Sequence, residues 1–563
     1  MTDLVIRNGT VIDGTGAEPF DADIAIDAGK IVAIGKIADR GADEIDARRM
    51  LVTPGFVDPH THYDGQATWS DRITPSSWNG VTTTLFGNCG VGFAPCRPAQ
   101  REMLVKLMEG VEDIPEVVLT EGLPWNWQSF PDFLDALAAR RYDMDIAAQV
   151  PHAALRVFVM GERGAEREPA TEQDRAEMAR LAAEGVKAGA LGFSTSRTIN
   201  HKTLDGRSIP SLDAAEAELA AIAGALRDVG KGWMQVISDF EDVEDEFAML
   251  RRLVAASGRP MAITILQRDN KPEEWRRLCG WIAEAHAAGL PMLGQVLTRA
   301  TGVLLGFEIS QNPFVNRPSY QRIAALPFEQ RIAILRQPEF RSTLITETCE
   351  SQGMARRVER WDRIFPLGDP PDYEPPAEAS IAAMAARHGH SPAEVAYDLL
   401  LERDGKAILY RPLSNYSYGN LDTVHDMLTH DATIVGLGDG GAHVGVLCDS
   451  SAISYLLTHW TRDRTRGARL KLPWAIRRLT SDSANAIGLS DRGVIAPGYK
   501  ADINVIDYDH LRLRQPEVVY DLPSGGRRLV QRTDGYVATI VSGVPVYRNG
   551  EATGALPGRL VRA

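Results

Sequence analysis

The sequence is short of the features that mark secreted, membrane-spanning or nucleic-acid-binding chains. It has five cysteines in 563 residues and no CxxC pair. So sparse and odd a set excludes a disulfide framework and fits a reducing compartment, so a cytoplasmic location is expected. No run of 18 uncharged apolar residues occurs, which excludes a spanning helix. The opening stretch, MTDLVIRNGTVIDG, has an early acid and an alternating pattern. It lacks the basic and apolar regions of a signal peptide. Positive charge is also short, with 61 Lys and Arg against 75 Asp and Glu, a formal net charge of −14. That balance argues against general nucleic-acid binding and against docking on an anionic membrane. A small molecule is the expected partner. No GxGxxG follows an early strand, which weighs against a doubly wound dinucleotide-binding sheet.

What is present is ordinary for a soluble globular protein, with 44% apolar and 24% charged residues. The length suits one large domain plus something smaller. DLVIRNGTVIDG, DADIAIDAGKIVAIG and EIDARRMLVTPG read as short strands separated by glycine turns. GVIAPGYKADINVIDYD and VATIVSGVPVYRNGE repeat that pattern at the far end. Two β segments flanking a different middle suggest one small sheet domain built from both termini. The middle alternates helix and strand. TEQDRAEMARLAAEGVKAGALGFS opens with a capping box, Thr171 and Asp174, runs as a helix and becomes a strand. Three further units do the same, with strands beginning near Ala190, Trp233, Met261 and Pro291. Apolar strands alternating with helices imply parallel pairing, and the span suits a (β/α)8 barrel with insertions. Residues of about 308–378 break the rhythm with proline and aromatics. They read as an insertion or lid over the barrel mouth.

GFVDPHTHYDG places His60 and His62 one residue apart. In an extended segment, residues two apart face the same side, so both rings point together and can share one cation. The pair His388 and His390, in RHGHS, is an internal control. It lies at a helix end beside Gly389, where the two rings diverge, and is read as ordinary surface. Cys89 sits just past the β-branched strand VTTTLFG. A thiolate is a strong zinc ligand, although a buried cysteine is more often a small core residue. Asp439 follows the apolar run ATIVGLG and precedes Gly440 and Gly441. On its own that reads as a turn aspartate. At the carboxyl end of a late barrel strand it is also where such enzymes keep acids and bases.

The constellation GFVDPHTH, GVTTTLFGNCGVGFAP, GDGGAHVG and GVIAPGYKADINVID resembles the amidohydrolase superfamily, and within it the N-acyl-D-amino-acid deacylase (D-aminoacylase) group. The resemblance spans nearly the whole chain; GNCGVGFAP is specific to that group. It implies a metal-carrying (β/α)8 barrel over residues 57–490 and a β-sandwich from residues 1–56 and 491–563. By motif match it implies His60, His62, Cys89 and Asp439 as metal ligands, with Asp439 also the general base. His152, in PHAALRVFVMG, falls in a familiar stretch near the site. Such proteins often form homo-oligomers, and a homo-oligomer is compatible with the sequence.

The chain departs from the pattern at two places. D-aminoacylases put one histidine at the end of each of the fifth and sixth strands. GWMQVISDF and RPMAITILQRD contain none. Ile237 and Ile265 align best, within one residue, and Gln235, Ser238 and Gln267 are the nearest polar substitutes, though neutral amides are weak zinc ligands. One metal position is therefore missing, and one divalent ion, zinc, is expected per chain. Basic residues for a substrate carboxylate do not transfer clearly. Arg197, His201, Arg299 and His443 each follow an apparent barrel strand and are candidates, with solvated loop residue as the equal alternative. The expected activity is hydrolysis of an amide C–N bond, as in an N-acyl amino acid, by a metal-activated water with Asp439 moving the proton. Alternatives are hydrolysis of a cyclic imide, lactam, carbamate or ester, or decarboxylation on the same fold. A scaffold descended from an enzyme is disfavoured, because it has no physical need for the His–His–Cys–Asp set.

Overall fold

The computed structural model describes residues 2–348 and 360–563. Eight parallel runs carry its centre: Phe56–Asp58, Val81–Phe86, Asp145–Ala148 resuming as Val150–Pro151, Gly192–Arg197, Trp233–Ser238, Met261–Thr264, Met292–Val296 and Thr433–Val435. They are numbered first to eighth below. The first three pair in parallel, and Val150–Pro151 starts a six-stranded parallel sheet that ends at the eighth. Backbone bonds also cross from the eighth to the first. Asp439 N–H donates to His60 O at 3.0 Å, and His62 N–H donates to Gly440 O at 2.8 Å.

The crossovers are helices, as parallel pairing requires. Glu172–Lys187 starts with the expected reciprocal cap: the Thr171 hydroxyl accepts from Asp174 N–H, and the Asp174 carboxylate accepts from Thr171 N–H. Its buried residues, Met178, Ala182, Gly185 and Val186, recur at helical spacing and form one stripe. Gly185 lies on that stripe because a Cβ there would meet Val150 at 2.7 Å. One part of the interior is apolar, with Val57, Leu85, Ala147, Leu191, Trp233 and Ala262 in one cluster. In the fourth and fifth strands, beyond Leu191 and Trp233, Ser194 and Gln235 bring polar groups inside and meet the backbone of Gly90 and Cys89 beside the site.

Both termini enter one nine-stranded sheet. Ile503–Ile506 runs antiparallel to Leu51–Pro54, with amino-terminal strands on one side and Tyr536–Val541 on the other. The sheet folds around a core of its own that joins Leu4, Ile24 and Val52 to Ile503, Val505 and Ile540. It is pinned to the centre by a buried charge cluster, Asp145 with Arg492 at 2.6 Å and Lys500 at 3.1 Å.

Between the seventh and eighth strands the chain builds a separate apolar cluster from Val303 to Leu409. Thr301–Leu305 pairs antiparallel with Leu409–Ser414 there, and Phe365–Pro366 extends the pair. This unit is wider than the proline- and aromatic-rich stretch that signals it in the sequence. Residues 349–359 of that stretch lie outside the described residues. The unit abuts the loop after the eighth strand through Leu304 N–H to Val446 O and Ser310 N–H to Gly445 O. His388 and His390 lie on it, both exposed. Among the described residues, no helix is long and apolar enough to cross a membrane.

Candidate metal centre

His60 and His62 lie just beyond the first strand rather than within it. Extended geometry persists because neighbours hold it on both edges. Thr61 N–H and its hydroxyl both reach Leu85 O, while His60 O and His62 N–H bond to residues 439 and 440. Thr61 therefore faces away and the imidazoles face inward together, with ring centroids 5.4 Å apart.

Cys89 occupies the turn Asn88–Gly90 after the second strand and has a left-handed backbone, φ 55°. Neighbours over-determine that strained conformation. The Asn88 side chain donates to Thr61 O and Leu85 O and accepts from Gln149. Cys89 N–H donates to Gln235 Oε1 at 2.9 Å. Cys89 Sγ then lies 3.3 Å from His60 Nε2. One donor atom from each of His60, His62 and Cys89 falls within 4.8 Å of the others.

The loop after the eighth strand supplies the fourth group. Leu437, Asp439 and His443 all have positive φ, a concentration of strain typical of functional loops. Gly438 is required here, since a Cβ would meet Asp58 Oδ2 at 2.0 Å. Asp439 Oδ1 lies 3.4 Å from His60 Nε2 and 3.7 Å from His62 Nε2. Its side chain is 18% exposed, so a substrate can reach it while the imidazoles behind it are sealed.

The donor set fits a divalent cation on the geometry of its outer partners. His60 Nδ1–H donates to Gln295 Oε1 at 2.9 Å, which leaves the Nε2 lone pair free for an ion. His62 Nδ1 lies 3.0 Å from the buried Glu112 Oε1, again leaving Nε2 toward Asp439. Burial holds both imidazoles neutral, His60 down to about 4 and His62 to about 3. Neutral rings are the form that binds metal. Burial, with carboxyls nearby, pushes the Cys89 thiol well above its usual range. A cation there would have to displace that proton. Burial likewise lifts Asp58 to about 8, Asp64 to about 7 and Glu112 well above the carboxylate range.

The structure brings His60, His62, Cys89 and Asp439 together. It sets His443 at the rim, 4.0 Å from Glu112 Oε2 and with a third of its side chain exposed. His201 lies close enough that burial, then His443, His62 and His60, lower it to about 3; its Nδ1 meets Ser196 Oγ at 2.9 Å.

Three candidates are not brought to the cluster. His152 has Nδ1 on Thr195 and Nε2 on Glu218, both buried, and Thr195 points opposite to the inward Ser194 and Ser196. Arg299 is buried against Asp449 at 2.7 Å and over the Tyr373 ring. Arg197 is held by Glu246 and Ala214 O. These pairings commit the three side chains to partners outside the cluster.

Among the described residues, the fifth- and sixth-strand side adds no His, Cys, Asp or Glu to the cluster. Ile237 is half-buried at the end of the fifth strand. Ile265 points to the helix side, packed by Gly294 and Ile282, so the inward neighbour is Thr264, register partner of Gln295. Gln267 bonds away from the cluster, to Asn415, Ser417 and Thr423. Gln235 and Gln295 turn their oxygens to Cys89 and His60, which makes them supports of the site. No motif or spacing marks the roles of Gln295 and Glu112.

A profile of the amidohydrolase family matches residues 43–547. The chain is 26% identical to an N-acyl-D-aspartate deacylase of Alcaligenes xylosoxydans xylosoxydans, over 100% of this chain and 95% of that one. It is 25% identical to a D-aminoacylase of the same organism, over 99% and 97%. An uncharacterized Mycobacterium tuberculosis protein is 27% identical over 98% and 93%. Among solved structures, a D-aminoacylase mutant with copper chloride superposes with a TM-score of 0.67 at 22% identity, covering 100% of both chains. An N-acyl-D-glutamate deacylase from Bordetella bronchiseptica, complexed with zinc and a phosphonate inhibitor, gives the same score, identity and coverage. At that identity the structures speak for a shared fold alone.

Proposed function

The chain belongs to the amidohydrolase family, and from that premise we propose that it is a metal-dependent hydrolase of the amide bond of an N-acyl amino acid, working with one zinc ion. Its names-alike relatives, deacylases of N-acyl-D-aspartate and N-acyl-D-glutamate, support that substrate class. The observation that carries the reading is the convergence of His60 Nε2, His62 Nε2 and Cys89 Sγ beside Asp439.

His60, His62 and Cys89 would hold the ion, with Asp439 at its open side. Bound there, the ion supplies Lewis acidity, which polarises a carbonyl and makes water nucleophilic near neutral pH. Asp439 Oδ1 takes the proton from the attacking water and returns it to the leaving nitrogen, because it is the reachable carboxylate beside the cluster. His201 and His443, at the rim, contact the substrate. Arg197, Arg299 and His152 take no part, being committed elsewhere.

The same reading takes the eight parallel runs as a closed (β/α)8 barrel over residues 57–490, supported by the bonds between residues 60–62 and 439–440. Residues 1–56 and 491–563 are taken as a β-sandwich, supported by the shared core of their sheet. The insertion is taken as a cover for the mouth, supported by its contacts with the 445–446 loop.

The test is a screen of zinc-loaded protein on N-acyl-D- and N-acyl-L-amino acids, with cyclic imides and simple esters alongside. Release of free amino acid by wild type, lost in Asp439→Asn, is expected. Turnover of imides or esters alone would contradict the substrate class.

A further inference from the structure

Glu112 belongs to no motif. It closes the helix Arg101–Glu112, away from every parallel strand, yet its side chain is 1% exposed. Its Oε1 lies 3.0 Å from His62 Nδ1 and its Oε2 lies 4.0 Å from His443 Nε2. Its main-chain oxygen accepts Val444 N–H at 3.2 Å. His62 Nδ1 and Glu112 Oε2 are both sealed from solvent without a hydrogen-bond partner. Buried polar atoms are almost always paired, so two orphans on adjacent residues need a reason. The contact is short but lies off the hydrogen-bond direction. A small turn of the ring would complete it, and a cation at Nε2 would fix such a turn. His443 and Val444 belong to the loop that carries Asp439. One buried carboxyl group thus stands behind a first-strand ligand and against the eighth-strand loop.

We propose that Glu112 is a positioning residue for the metal centre: it receives the Nδ1–H of His62 so that Nε2 faces the ion, and it ties that ring to the loop bearing Asp439. This rests on the one-metal reading above. A ligand histidine commonly donates its other N–H to a carboxylate, and losing such a partner costs 10–100-fold in metal affinity. A merely structural Glu112 would do nothing for the ion. With an oxygen left unpaired, it would also be replaceable by an apolar residue of similar size.

The experiment uses the full-length protein, stripped and titrated with Zn2+ against a chelator, and with Co2+ while its visible absorption is recorded. Glu112→Gln keeps an oxygen for the His62 N–H and should bind Zn2+ close to wild type. Glu112→Leu removes the acceptor and should bind roughly 10–100-fold more weakly, with a changed Co2+ band, while its metal-free unfolding temperature is kept or raised. Should Glu112→Leu not fold, Glu112→Asp draws the carboxylate back by one methylene and should show the same loss. Equal Zn2+ affinity and an unchanged Co2+ band in the acceptor-less variant would overturn the proposal, as would a Gln variant as weak as Leu. Wild type that binds neither ion overturns the metal reading and this inference with it. Wild type that binds, beside an unaffected Leu variant, overturns this inference alone.

Discussion

The two sides of the site are built alike and equipped differently. On the side of the first, second and eighth strands, four groups able to bind metal converge on tightly held backbone, strained at Cys89 and Asp439. On the side of the fifth, sixth and seventh strands, the inward positions are Gln235, Ile237, Thr264 and Gln295. The second side also buries polar atoms. The amide nitrogens of Gln235 and Gln295 and the Thr264 hydroxyl are buried without partners. The difference teaches that the bare side supports the other: its amide oxygens hold Cys89 and His60.

The comparison breaks most sharply at the ligands. Cys89→Ala should lose tight zinc binding and activity together, measured as zinc per chain after gel filtration. Cys96→Ala, buried but outside the cluster, should keep both. Asp439→Asn is next. An amide keeps the shape but cannot carry a proton at neutral pH, so turnover should fall by about 10²–10⁴ while much of the metal stays. A rate within a few-fold of wild type would return Asp439 to the role of turn residue.

A smaller effect crosses to the supporting side. Gln295→Leu removes the acceptor for His60 Nδ1–H and should weaken zinc by roughly 10–100-fold, read by chelator competition. Unchanged affinity would mean that the bare side is inert. The smallest effect is at Thr264→Val. It removes a buried, unpaired hydroxyl while keeping the shape. Zinc affinity should not change, and stability should hold or rise by up to about 1 kcal/mol, seen in the unfolding midpoint. A loss of zinc in this variant would make the sixth strand a functional part of the site.

Much of this contrast was legible in the sequence because it is local. His60–Thr61–His62 and the cysteine after VTTTLFG are read from alternation and from a strand that stops. The absence of histidine in GWMQVISDF and RPMAITILQRD is equally plain. Thr171 and Asp174 announced a helix start that the structure has. What escaped depends on distant partners. His152 and Arg299 stand at strand ends as site residues do, but Glu218 and Asp449 claim them from 66 and 150 residues away. Glu112 escaped for the converse reason: in MEGVEDIPE it looks like one acid of a solvated run, and only tertiary packing buries it behind His62. At Ile265 the motif match fixes the position only to within one residue, and the inward side chain is its neighbour Thr264. The insertion outgrew its signal because its edges, Thr301–Leu305 and Leu409–Ser414, are joined by long-range pairing.

The most direct measurement of the central claim is metal content per chain of purified protein, before and after mild chelation. One tightly held equivalent of zinc, lost in Cys89→Ala and kept in Cys96→Ala, is the expected result. Two equivalents per chain, both surviving chelation, would contradict it, because the second ion would have to sit where Ile237 and Thr264 offer it no ligand.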